Sequence, residues 1–163
     1  MNEAAPIAGS SAEPTSGPWT AKMIRPLSDK GVGQRQPFLR KTFDLSSRGG
    51  AETLRISALG LYRAFINGRR VGEGLLTPGW TSYWDRLSYQ TYEVGDLLRE
   101  GENTIDIWLG DGWYRSRMMW PQNELLNTWG AEVAAIAELR AGDGKALVAT
   151  DDTWTSGLTP VLK

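Results

Sequence analysis

Leu61-Tyr62-Arg63-Ala64-Phe65-Ile66-Asn67-Gly68-Arg69-Arg70-Val71-Gly72 is the stretch that decides the fold class. Leu61 to Ile66 is a short β run. It stops at Asn67-Gly68, a pair that accepts positive φ at both positions and so closes a two-residue type I′ hairpin turn. Arg69 to Gly72 then reads as the returning strand. Upstream, Thr53 to Ala58 alternates apolar and polar residues, the pattern of a half-buried strand. Before it, Phe38 to Leu45 reads as a strand that ends in the turn Ser46-Ser47-Arg48-Gly49-Gly50. Downstream, Leu87 to Tyr92 alternates again, Val94 to Leu98 predicts one helical turn, and Arg99 to Asn103 is a polar turn before a strand over Thr104 to Leu109. Glu132 to Leu139 is compatible with helix or strand, but Asp143-Gly144 before Lys145 to Ala149 favours two paired strands. Asp151 to Trp154 closes the readable pattern. Short strands separated by turns predict an all-β protein, an antiparallel jelly-roll-like β-sandwich. No long amphipathic helices alternate with the strands, which argues against a parallel α/β fold.

Composition narrows the chemistry. The 163 residues suffice for one domain with a real core. Met1 to Pro18, rich in Ala, Ser, Pro and Gly, reads as a disordered tail, and residues 19–163 as the sandwich domain. The tail lacks the basic start and apolar run of a secretory signal, so a cytoplasmic location is expected. Cysteine and histidine are both absent, which excludes disulfides, thiolate nucleophiles, His-based triads and His or Cys zinc sites. A net charge of -1 gives no general attraction to nucleic acid or to a membrane, and neither is expected as a partner. Tryptophan occurs 8 times, and because an indole N–H needs a partner when buried, some of these rings should reach the surface.

Two segments carry candidate sites. In Leu109-Gly110-Asp111-Gly112-Trp113-Tyr114-Arg115, two glycines let the chain turn tightly around Asp111. Trp113 and Tyr114 can stack on a sugar ring while Asp111 and Arg115 bond its hydroxyls. The competing reading packs Trp113 and Tyr114 in the core with Asp111 capping a turn. In Pro78-Gly79-Trp80-Thr81-Ser82-Tyr83-Trp84-Asp85-Arg86, the three aromatics Trp80, Tyr83 and Trp84 beside Asp85 and Arg86 offer a second sugar platform. Its alternative is a long loop pinned to the sandwich by Trp80, with Asp85 and Arg86 as solvated charges. Met118-Met119-Trp120-Pro121 and Trp129 look like an exposed apolar patch suited to an interface. Most of the carboxylates sit in turns, and no pair stands out as a hydrolytic couple. Asp111 could ligate calcium through oxygen, but Gly112 beside it brings no side-chain ligand, so no cofactor is expected.

The run Arg55 to Gly72 resembles the N-terminal domain of bacterial α-L-rhamnosidases. The likeness continues through Leu76 to Tyr83, Tyr89 to Leu98, Gly101-Glu102-Asn103, Leu109 to Arg115, Trp129-Gly130 and Asp151 to Trp154, in the family's order. The resemblance implies a jelly-roll sandwich placed before a separate helical barrel, which carries the acid and base carboxylates for inverting hydrolysis of terminal α-L-rhamnosides. Nothing in this chain resembles the barrel, so no catalytic residue carries over. The expected partners are a rhamnose-containing glycan or glycoside and the catalytic domain of a parent enzyme. The family pattern runs on past Trp154, so the sandwich is expected to be truncated on its C-terminal side.

Overall fold

The computed structural model describes residues 17–116 and 127–160. The Met1–Ser16 part of the expected tail and the Met118 to Pro121 patch lie outside the described residues. Among the described residues, nine antiparallel strands form two sheets. They are β1 (Pro37–Leu45), β2 (Thr53–Leu59), β3 (Leu61–Ile66), β4 (Arg69–Arg70), β5 (Gln90–Glu93), β6 (Gly101–Gly110), β7 (Ala134–Arg140), β8 (Ala146–Ala149) and β9 (Thr155–Leu158). One sheet runs β4-β3-β6-β1-β9 and the other β5-β2-β7-β8. Inward residues of both sheets make one continuous core, including Leu39, Leu54, Ile56, Ile66, Ile105, Ile107, Leu109 and Leu139. This is the sandwich that the strand spacing predicts.

The Asn67-Gly68 turn forms as expected, with φ of 51° and 76°. Its side chain fixes more than the hairpin. Asn67 Nδ2 donates to Leu97 O at 3.0 Å and to Asn103 Oδ1 at 2.8 Å, and Thr104 N donates to Asn67 Oδ1 at 3.0 Å. The turn is thereby tied to the single helical turn Gly95–Leu97 and to the start of β6.

Several elements differ from expectation: β4 ends at Arg70, and β6 already begins at Gly101, within the expected polar turn. The strand expected over Leu87 to Tyr92 begins at Gln90, because its hydrogen-bonded ladder to β2 starts at the Ile56–Gln90 pair. A short strand, β9, follows Trp154 and pairs with β1 at the edge of the larger sheet. Most informative is β2, which is buried on both faces rather than one. Its polar residue Arg55 is covered because the chain from Gly17 to Ile24 crosses the outer face of the smaller sheet, and Ser57 is buried with its hydroxyl donating to Ser88 O at 2.7 Å.

Several bonds fasten that strap. Ile24 pairs with Ala135, and Lys22 N donates to Thr150 O at 2.8 Å. Under the strap, Arg55 and Arg140 both hold Glu138, at 2.5 Å and 2.8 Å. Thr20 adds bonds to Glu138 from its hydroxyl and its backbone N–H, and the Trp19 ring lies 4.4 Å from the Arg55 guanidinium carbon. Burial opposes ionisation of Glu138, but the bonds from Thr20, Arg140 and Arg55 outweigh it and hold its pKa at about 2.

Candidate functional site

At one end of the sandwich, the loop between β4 and β5 meets the chain that follows β6. Each brings aromatic residues. Trp80 and Trp113 stack with ring centroids 6.5 Å apart and planes 13° from parallel. Tyr83 packs edge-on to Tyr114 at 5.2 Å and lies 5.7 Å from Trp129, and Trp84 meets Trp129 at 4.7 Å. The result is a ridge of six rings from segments distant in sequence.

The ridge has a buried side and an open side. Tyr83 is buried and its hydroxyl donates to Gly79 O at 3.4 Å. Trp80 and Trp84 remain 59% and 76% exposed. The reading in which Trp80 pins the loop is therefore corrected. Tyr83 is the anchor, because its position in the loop points it inward against Tyr114 and Trp129, while Trp80 and Trp84 point out. Asp85 and Arg86 are exposed. Trp113, Tyr114 and Trp129 are half-buried. Gly130 permits the closeness of Trp129 to the ridge, since a Cβ there would lie 2.1 Å from the Tyr114 hydroxyl oxygen. Trp129 and Gly130 both donate their backbone N–H to Tyr114 O, at 3.0 Å and 3.3 Å.

Asp111 and Arg115 are not on the open side. Arg115 is 1% exposed. Its Nε donates to Asp111 Oδ1 at 2.7 Å, its Nη2 to Asp29 Oδ1 at 3.0 Å, and its Nη1 to Asp29 Oδ2 and to Ala131 O. The other Asp111 oxygen accepts the Gly33 N–H at 3.0 Å. Both Asp111 oxygens are thus occupied within the fold. The expectation that Arg115 bonds a sugar hydroxyl is corrected on the same ground: its guanidinium fork is closed from solvent by two carboxylates and a carbonyl. Burial works against the charged forms here, yet the paired hydrogen bonds lower the Asp29 pKa and raise that of Arg115. This clamp joins the irregular segment before β1 to the loop after β6, and it orients Trp113 and Tyr114, which lie between Asp111 and Arg115.

Sequence reasoning missed Asp29, and it placed Tyr83 on the sugar platform, whereas the structure buries that ring as the anchor of the loop. Asp29-Lys30-Gly31 carries a turn signal, realised as the Gly31 N–H bond to Asp29 Oδ1 at 3.1 Å. Its pairing with an arginine far along the chain has no local signature. Among the described residues, no group of three or more Asp or Glu side chains comes together to hold a metal ion.

Residues 50–163 match the family described as the alpha-L-rhamnosidase N-terminal domain. An alpha-L-rhamnosidase of Formosa agariphila is 34% identical over 145 residues, covering 83% of this chain and 16% of that relative. The solved α-L-rhamnosidase of Aspergillus terreus superposes with a TM-score of 0.78 at 35% identity, over 86% of this chain and 17% of that one. The Streptomyces avermitilis enzyme, solved with L-rhamnose, gives 0.70 at 33% identity, over 78% of this chain and 12% of its own. The chain therefore spans less than a fifth of the length of these relatives.

Proposed function

The chain belongs to the alpha-L-rhamnosidase N-terminal domain family, and from that premise we propose that it is a non-catalytic, carbohydrate-associated domain of a glycoside hydrolase acting on terminal α-L-rhamnosides. One observation carries this reading: the aromatic ridge holds Trp80 and Trp84 open to solvent on a framework that the Asp29–Arg115–Asp111 clamp keeps in place. An exposed indole held rigidly is suited to the apolar C–H face of a sugar ring, and little conformational freedom is lost when the sugar binds. In this reading Trp80, Trp84 and Trp113 make the contact, Tyr114 supports them, and Asp111 with Arg115 positions the loop. The sugar is a rhamnose-containing glycan or glycoside. The hydrolytic carboxylates belong to another domain of the parent enzyme.

The test is a titration of the purified chain with L-rhamnose, followed by calorimetry or by chemical-shift changes. Stacking on an open ridge gives an affinity on the order of millimolar to high micromolar. Trp80→Ala should abolish binding without lowering the melting temperature. A chain that binds no rhamnoside leaves the ridge as a docking surface for the catalytic domain. Turnover of an aryl α-L-rhamnoside by the isolated chain, lost on mutating one Asp or Glu, would overturn the non-catalytic assignment.

A further inference from the structure

Away from the ridge, a groove of about 280 Å³ opens between β3, β6 and the turn that carries Gly74 to Leu76. Leu61, Leu75, Leu76 and the half-buried Trp108 give it apolar walls. The wall made by the turn is fixed at both ends. Arg70 Nη2 donates to Gly74 O at 2.9 Å, Tyr62 N donates to Thr77 O at 2.9 Å, and the Thr77 hydroxyl donates back to Tyr62 O at 3.0 Å.

Two independent features mark the groove as a site. Arg63 lines it directly opposite Trp108 in register, and its side chain is exposed with no hydrogen-bond or ion-pair partner among the described residues. Its neighbours on the same sheet are committed, Arg40 to Asp106, Arg69 to Asp96 O and Arg70 to Gly74 O. The second feature lies in the floor. Gln36 Oε1 and Thr159 Oγ1 are buried there with no hydrogen-bond partner, although the backbones of the two residues are joined by a 2.8 Å bond. Paired buried polar atoms are the rule, so two orphans under one groove call for a partner that is not part of the fold. Leu75 and Leu76 line the groove together with Gln36 and Thr159, and at 74% and 59% exposure they have little packing to lose in turning aside.

We infer that this groove binds a pyranose that carries a carboxylate, a uronate. The apolar ring face rests on Trp108, the carboxylate pairs with the planar Arg63 guanidinium, and a ring hydroxyl donates to Gln36 Oε1. Each part of the groove selects one part of that ligand. A neutral sugar leaves Arg63 unpaired, a simple carboxylate leaves Trp108 uncovered, and an apolar ring leaves the two floor atoms without partners. The volume suits a single ring. The site shares no residue with the ridge and stands apart from the function proposed for it.

The experiment titrates the purified chain with D-glucuronate, D-glucose and acetate and follows indole and guanidinium resonances. Glucuronate should saturate in the millimolar range, about ten-fold tighter than glucose or acetate. Arg63→Gln should remove that preference at an unchanged melting temperature, and Trp80→Ala should leave it intact. The inference is overturned if glucose or acetate binds as well as glucuronate, if nothing binds by about 50 mM, or if Arg63→Gln has no effect. Loss of glucuronate binding in Trp80→Ala would also overturn it, because the ligand would then lie on the ridge.

Discussion

Two arginine–carboxylate pairs face each other across adjacent strands, one on the outer surface of each sheet. Arg55 stands opposite Glu138 in the β2–β7 register, and Arg40 opposite Asp106 in the β1–β6 register. The chemistry is the same, and both pairs have good geometry. Arg40 even grips both Asp106 oxygens, at 2.5 Å and 2.8 Å. Their surroundings differ. The side chains of Arg55 and Glu138 are 3% and 0% exposed beneath the strap, whereas those of Arg40 and Asp106 are 48% and 13% exposed. The comparison shows that the strap, not the pairing, decides what an ion pair contributes here. Water and salt screen the open pair. The covered pair cannot lose one member without leaving a charge stranded away from water.

Glu138→Gln tests the covered side most severely. It should cost about 3–5 kcal/mol in chemical denaturation, since Arg55 and Arg140 both lose their counter-charge. An equal cost for Asp106→Asn would break the comparison. Acid sharpens it. Glu138 has a lower pKa folded, about 2, than its ordinary value of 4.5. Its contribution is therefore complete above pH 4.5 and fades as the pH falls toward 2. Melting temperatures across that window should fall in the native chain, and Glu138→Gln should flatten the decline. Next in size is Thr20→Ala, which removes one hydroxyl bond to the buried carboxylate and should cost about 1.5–3 kcal/mol. Asp106→Asn on the open face should cost no more than about 1 kcal/mol, with the loss shrinking further in high salt. The smallest effect belongs to Trp80→Ala, within about 0.5 kcal/mol by denaturation, because its ring is mostly exposed and its one ring contact, with Trp113, is a loose 6.5 Å stack.

Much of the sandwich was legible because alternation and turn chemistry are local. Asn67-Gly68, Asp143-Gly144 and the Val94 to Leu98 turn each announced themselves within a few residues. Burial by a distant segment was not legible. Arg55 and Ser57 looked like the solvent side of a strand, and nothing near them signals that residues before Ile24 return to cover Arg55 or that Ser88 accepts a bond from Ser57. The same limit applied at the candidate site. Asp111, Trp113, Tyr114 and Arg115 stood out as a group, and the structure brings Trp80 and Trp84 to join them. Which of these side chains face outward depended on Asp29 and Tyr83, partners that lie far from the Gly110 to Arg115 loop in sequence. Arg115 looked like a ligand contact because a charged residue beside aromatics has that appearance from composition alone. Only the fold reveals two carboxylates waiting for it.

The strap also has a consequence for the order in which the protein takes shape on the ribosome. Thr20 and Glu138 are separated by 118 residues. At about 5–20 residues per second, synthesis leaves the strap outside for roughly 6–24 s before its partner strand exists. Arg55 itself precedes Glu138 by 83 residues, so for roughly 4–17 s of that synthesis it has no carboxylate opposite it. A lone charge at that position discourages a neighbouring nascent chain from adding its own strand or stacking on the unfinished sheet. The residue that locks the mature domain is thereby also placed to oppose association before β7 is made.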